Sequence, residues 1–472
     1  MLKPSNRIAV ISTIICCLLL SVASYSQNQQ KFVIKNVNVI TMDAANKVVQ
    51  NAVVVIAGNK IESINGAILK NAKIIDGKNK WLIPGLIDMH VHIITDNYFG
   101  NKQYATQTPD LVLNVQHVMT PFIANGVTTV FELNSTMETF SQKKDIERGY
   151  VIGPRMALAA LIDGGDGTGR RVNTPEDGRQ VVRCAKIEGY DFIKLYAYLN
   201  DSTYFAIIDE ANKQGIKIIG HIPEAFKGKL KQAFVKGLGM VAHAEELTNY
   251  AVDYSEQEAK DMAQLLKENG TWLSPTLITM ERILSQVKSL DELKALPSLK
   301  YVHPLMQSKW FTANKYNKMH SAEQIAHFEN YVKFNLLLVK ACKNIGVPIT
   351  AGTDAGTSSV INGFSLHDEL ELLVKAGLTT EEALKSATLL SAQWLGINSQ
   401  VGSIEEGKLA DLLLLDENPL ADIKNTRKIA GVFVNGKWLA KTEINTMLND
   451  LENWNNANKS KFDWQMMRNK RK

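Results

Sequence analysis

Cysteine is scarce in this chain, and its scarcity narrows the chemistry at once. Only four occur in 472 residues, and two of them, Cys16 and Cys17, sit inside the N-terminal apolar run. Cys184 and Cys342 remain, far apart, so a disulfide framework is excluded and no closely spaced cysteine pair can hold zinc. Any metal site must therefore be built from His, Asp, Glu or Lys. An excess of one charge is missing too: 53 lysines and arginines face 48 acids, which gives no electrostatic case for nucleic acid. A second apolar run of spanning length is also absent, so no stable membrane insertion is expected once the N-terminus is removed.

That N-terminus has the order of a secretory signal peptide. Lys3 and Arg7 precede the apolar run 8–20, and small residues follow up to Ser26. Residues 1–26 are read as a cleaved leader, and the mature chain as secreted or periplasmic. The rest has an ordinary globular balance, 45% hydrophobic and 21% charged, with length for one large domain and a smaller companion.

Residues 27–84 alternate in strand fashion ("KFVIKNVNVI", "VVQNAVVVIAGNKIESI"), punctuated by Asn, Gly and Asp. Residues 399–441 do the same ("VGSIEEGKLADLLLLDENPL", "IAGVFVNGKWLA"), so the flanking segments are expected to pair as a small β-sandwich. Between them, over 85–398, apolar strands alternate with helical stretches: "IPGLIDMHVH", "GVTTVFEL", "RMALAAL", "DFIKLYA", "IKIIGHI", "MVAHA", "TWLSPTL" and "VPITAGTDA". Eightfold βα alternation predicts an α/β fold, a (β/α)8 TIM barrel, with an open doubly wound sheet as the alternative. Residues 442–472 read as a helical tail docked on the barrel.

The stretch "WLIPGLIDMHVHIITD" (81–96) carries His90 and His92 one residue apart, on the same face of a strand and at its C-terminal end. Two imidazoles on one face can bind one metal. Lys194, His221, His243 and Asp354 each fall near the end of a different strand. Taken singly, each could be a satisfied buried polar residue; together at one barrel mouth they point to a site. Lys194 stands between Phe192, Ile193 and Leu195, where an ammonium is costly and tends to lose its proton. A neutral amine can add CO2 to become a carbamate, an anionic ligand able to bridge two ions. The competing reading is a lysine paired with an acid at the pocket wall.

"PGLIDMHVH", "GVTTV", "GPR", "FIKLY", "GTDAG" and "GSIEEGKLADLLLLDENPL" together resemble the amidohydrolase superfamily, in the imidazolonepropionase-related branch with Xaa-Pro dipeptidase-like members. The resemblance spans nearly the whole mature chain. It implies that His90, His92 and Asp354 hold one divalent ion and that His221 and His243 hold a second. Carboxylated Lys194 bridges them, and zinc is the usual occupant. It further implies that the ions turn a bridging water into hydroxide for attack on an amide or peptide C–N bond, with Asp354 moving the proton. Glu245 and Glu246 are the next candidates for the base. Tyr196, two residues after the lysine, matches a substrate contact of dipeptidase relatives. Asp166 stands where that branch often has His, which leaves Arg170 or Arg171 to meet a substrate carboxylate, or a substrate that is itself cationic. Phe131 and Glu132 replace the branch's Arg-Asp, so a contact beside the site is expected to differ.

The substrate is expected to be a small molecule or dipeptide. A cyclic amide, lactone, phosphotriester or ring-deamination substrate is the alternative, followed by a binding protein without catalysis; homo-oligomerisation stays open. The run "DGGDGTGR" lacks the Lys-Ser/Thr ending of a phosphate loop and reads as a mobile βα loop. The insertion 278–321, with Tyr301, His303, Trp310, Phe311 and Tyr316, reads as a long loop that either walls the substrate or packs on the barrel. His117, His320, His327 and His367 carry no chemistry in this reading.

Overall fold

The computed structural model describes residues 30–68, 70–99 and 108–470; the leader assigned to residues 1–26 lies outside the described residues. In the central region the apolar runs become strands where they were expected. Leu86–Val91, Val127–Glu132, Arg155–Asp163, Phe192–Leu195, Lys217–Gly220, Leu238–Ala242 and Trp272–Ser274 pair in parallel, each with the next. They are buried almost continuously rather than on alternate residues, because helices cover the outside and side chains fill the inside. Residues 347–355 close the ring through parallel bridges Leu273↔Ile349 and Val91↔Ala355, which makes a (β/α)8 barrel and excludes the open sheet. Two glycines of "GTDAG" supply room for that closure. A Cβ on Gly352 would lie 2.6 Å from Ser274 Oγ, and one on Gly356, at φ +100°, 2.3 Å from the His92 carbonyl oxygen.

The outer helices obey their end signals. Pro175–Glu188 begins after Thr174, Asp201–Gln214 after Asn200 and Glu256–Asn269 after Ser255, each capped by that side chain, and they end on left-handed Gly189, Gly215 and Gly270. The segment 108–126, between the first two barrel strands, is only partly helical. Its helix is only Val115–Ala124, because Asn114 caps it and Leu111–Val112 pair with Asp96–Asn97 instead.

Both flanking segments enter one eight-stranded sheet. Its junction is antiparallel, with Trp81 opposite Leu415 and Pro84 opposite Leu412. Phe32, Ile34, Val54, Ile56, Leu412 and Phe433 give this sheet a core of its own. Because Trp81–Pro84 runs almost directly into Leu86–Val91, the junction fixes the strand that presents His90 and His92.

The insertion is where the loop reading is corrected. It is built of helices, chiefly Leu277–Lys288 and Pro304–Ala313, and the tail helices Lys441–Asn458 and Trp464–Asn469 brace it. Trp464 N–H donates to Ser308 Oγ at 2.9 Å and Asn455 Nδ2 to the Lys300 carbonyl at 2.8 Å. Among the described residues no helix is long and apolar enough to cross a membrane.

Candidate metal centre

At the C-terminal rim of the barrel the structure brings His90, His92, Lys194, His221, His243 and Asp354 to the floor of one cavity of about 620 Å³. His90, His243 and Asp354 each offer a ligand atom within 4.8 Å of the others. Asp354 Oδ1 lies 3.2 Å from His90 Nε2 and 3.1 Å from His92 Nε2, so one carboxylate oxygen serves both imidazoles of the first strand. The His221 and His243 rings are 4.9 Å apart, and the His243 and His90 rings 4.4 Å.

The backbone is strained where these groups are aimed. His243 (φ 73°), Thr276 (φ 46°) and Asp354 (φ 63°) are left-handed without being glycine, at the ends of three successive barrel segments. Such conformations cost on the order of 1–3 kcal/mol each and persist where neighbours hold them. Here the His243 amide donates to the Ser274 carbonyl and the Asp354 amide to the His90 carbonyl, both at 2.8 Å.

Three of the four imidazoles are also oriented from behind. His221 Nδ1 lies 2.7 Å from Glu246 Oε1, whose other oxygen accepts from the Ile222 amide at 3.0 Å. His243 Nδ1 is 2.7 Å from Thr276 Oγ1, and His92 Nδ1 faces Glu132 Oε1 at 3.8 Å. In these three, Nε2 is left for the cavity, as ligating histidines require. Asp88 secures the floor below: it accepts from the His90 amide (3.2 Å) and from the Thr353 amide and hydroxyl (3.0 and 2.7 Å). Burial pushes its carboxyl up to about 7.

The donor chemistry fits a divalent cation. His90 Nδ1 is buried without a hydrogen-bond partner and its Nε2 meets only Asp354 Oδ1, while Lys194 Nζ, whose residue is 1% exposed, has no partner at all. Burial, reinforced by Lys194, lowers His90 to about 3, and burial brings Lys194 down to about 7 against the pull of Asp354 and Glu246. His243 is likewise held well below its ordinary value by burial. Burial works against a charged His92 as well, yet hydrogen bonds to Asp354 and Glu132 push it up to about 9. Burial would raise Asp354, but His90 and His92 hold it well below the carboxylate range. His90, His243 and Lys194 are therefore kept as neutral lone pairs beside the Asp354 anion, and the raised His92 shows that positive charge is favoured next to that carboxylate.

The expected substrate contacts divide. Tyr196 lines the cavity, its ring 4.2 Å from that of His221, and burial pushes its phenol up to about 12. Asp166 and Arg170 are not among the lining of this cavity. Asp166 is exposed, while Arg170 pairs with Glu188 and lies 5.0 Å over the Tyr190 ring. The glycine run turns around Asp163, which accepts from the amides of Gly164, Thr168 and Tyr198 at 2.8, 3.0 and 2.8 Å. The amides of Gly164 and Thr168 are thus taken up within the protein, as is that of Gly165 by Asn173 Oδ1 at 2.7 Å. The roles of Asp88, Thr276 and Glu246, and the lysines of the insertion that line the cavity, were not read from the sequence. Glu246 stood there only as a spare base, and its adjacency to His243 was the one available signal.

The profile of the amidohydrolase family matches residues 81–439. An uncharacterised protein of Mycobacterium bovis is 25% identical over 357 residues, covering 72% of this chain and 80% of its own. A 5-methylthioadenosine/S-adenosylhomocysteine deaminase of Caldanaerobacter subterraneus is 24% identical over 460 residues, covering 88% and 94%. Among solved structures, a Xaa-Pro dipeptidase with methionine bound in its active site superposes with a TM-score of 0.64 at 23% identity, over 87% of this chain and 100% of that one. A bottromycin amidohydrolase reaches 0.69 at 19% identity, over 89% and 90%. At those identities the structural likeness speaks for the fold.

Proposed function

Because the chain belongs to the amidohydrolase family and is a hydrolase acting on carbon–nitrogen bonds, we propose that its substrate is a small amide or dipeptide cleaved at a centre for two divalent ions, zinc being the usual occupant. The observation that carries this reading is the convergence of buried nitrogen and oxygen ligands on one carboxylate, with Lys194 Nζ left without a partner among them, at the floor of a cavity of substrate size. In it, His90, His92 and Asp354 would hold one ion and His221 and His243 the other, with Lys194, whose amine could add CO2 to become a carbamate, as a further ligand. When bound, the ions supply Lewis-acid polarisation of the scissile carbonyl and acidify a water. Asp354 takes the proton of the attacking water and hands it to the leaving amine. Tyr196, kept protonated by burial, donates to the substrate, while Glu246 and Thr276 fix the tautomers of His221 and His243.

Ring deamination is the second reading, favoured by the deaminase relative that aligns over 88% of the chain. Metal analysis combined with a dipeptide library tests the first. We expect about two divalent ions per chain, with turnover lost on chelation and regained with zinc. A preparation fully active without metal would end the reading, and ammonia released from purine rings without peptide cleavage would move it to the second.

A further inference from the structure

The insertion contributes more to the cavity than bulk. Met306, Trp310 and Ala313 recur on one face of the helix Pro304–Ala313 and line the cavity, and Lys309 and Lys315 line it beside them. Lys309 Nζ lies 4.6 Å over the Trp464 ring and Lys315 Nζ 4.9 Å over the Tyr316 ring. Lys315 interacts electrostatically with Glu245, which lines the same cavity. An ammonium over a ring face keeps its charge and its place while N–H groups remain to be shared. Apart from Lys194 on the floor, these are the lysines and arginines of the cavity lining, and Arg170, the arginine expected to meet a carboxylate, is taken up by Glu188.

We propose that Lys309 and Lys315 form a carboxylate-binding wall, so that the substrate is a small amide with a free carboxylate, such as an N-acyl amino acid or a dipeptide. This rests on the proposed amide hydrolysis and names its substrate class. The insertion wall anchors the carboxylate while the C–N bond lies over the floor; Trp310 between the lysines covers the apolar part. Specificity for an acidic substrate then comes from the insertion and from the tail helix that seats Trp464 under Lys309, not from the glycine run after the third barrel strand.

The test uses the full chain with matched probes: N-acetyl amino acids and the N-acetyl amino alcohols in which CH2OH replaces the carboxylate. Binding is read by calorimetry and turnover by acetate release. The wild type should bind the acids about 10- to 100-fold more tightly than the alcohols, the range of a charge-assisted hydrogen bond. Lys309→Met with Lys315→Met should erase that preference and leave alcohol binding unchanged. Lys309→Arg with Lys315→Arg should keep most of it. Lys315 is exposed, so Lys315→Glu disturbs little packing and should turn the acids into the weaker ligands. Equal affinity for acid and alcohol in the wild type, or a preference that survives the Met or Glu variants, would overturn the inference. Alcohols cleaved as readily as acids would do so while sparing amide hydrolysis. Acids held through the lysines but never cleaved, with every other amide also left intact, would sink the amide reading and keep the wall.

Discussion

Replacing Glu246 by Gln removes one charge and almost no volume, yet it should loosen one metal position. The carboxylate accepts at both ends, from His221 Nδ1 at 2.7 Å and from the Ile222 amide at 3.0 Å, and the residue is 8% exposed. An amide can accept at only one end. If its oxygen stays on His221, its NH2 faces the Ile222 N–H and orphans a buried donor at a cost of about 1–3 kcal/mol. If it flips, the NH2 donates to Nδ1 and drives the imidazole proton onto Nε2, the nitrogen the ion needs. Either arrangement weakens binding at His221, and loss of such an orienting partner typically costs about 10- to 100-fold in metal affinity. Metal content followed through a chelator titration should show one of the two ions leaving at correspondingly lower chelator. Glu245→Gln is the control: it changes the adjacent carboxyl, which burial pushes up to about 7 and which holds no ligand imidazole, and should retain metal like the wild type. If Glu246→Gln keeps both ions through the wild-type titration within about twofold, or if Glu245→Gln loses metal equally, the effect is one of charge and the orienting hydrogen bond does not matter.

Lys194→Ala should lose most activity and metal, with added short carboxylates restoring part of both; wild-type rate and metal content in that variant would remove the bridge. Asp354→Asn keeps the shape and an oxygen but cannot take a proton, so turnover should fall by at least about 10²-fold with much of the metal retained. A variant within a few-fold of wild type with its metals bound would make Asp354 a ligand only. His303 gives a pH prediction away from the metal centre. Burial, aided by His117, lowers it to about 4, and its Nδ1 accepts from the Leu305 amide at 3.1 Å. As pH falls the unfolded chain takes up that proton first, so this contribution is whole above about pH 6.5 and is lost between there and about 4. His303→Asn retains an acceptor that does not titrate, and its melting temperature should drop less than that of the wild type between pH 7 and 4.5; equal drops would clear His303.

The barrel was legible because its signals are local. Apolar runs of strand length, Thr, Asn or Ser at helix starts and Gly at helix ends are written within a few residues of where they act, and the matching strands and caps formed there. His90 and His92 declared a shared face through their spacing alone. Lys194 announced its strangeness through its apolar neighbours, and the structure buries its amine without a partner. The insertion misled because its helices draw their stability from packing. Trp464, more than 150 residues further along the chain, holds Ser308 and Lys309 in place, and nothing near residue 309 says so.

What the sequence by itself determined is the repertoire: which residue types stand at strand ends, that cysteine takes no part, and that any metal must be held by nitrogen and oxygen. What only the tertiary structure decided is partnership. Glu246 serves His221 rather than acting as a spare base, Thr276 serves His243 from a left-handed turn, and Arg170 answers to Glu188 instead of to a substrate. Lys309 and Lys315 reach the cavity from an insertion with no place in the eightfold repeat. Periodicity along a chain specifies the face on which a side chain lies. Which other face meets it depends on the closure of the barrel and the packing of distant helices, and those are set by contacts between segments whose separation in sequence carries no local mark.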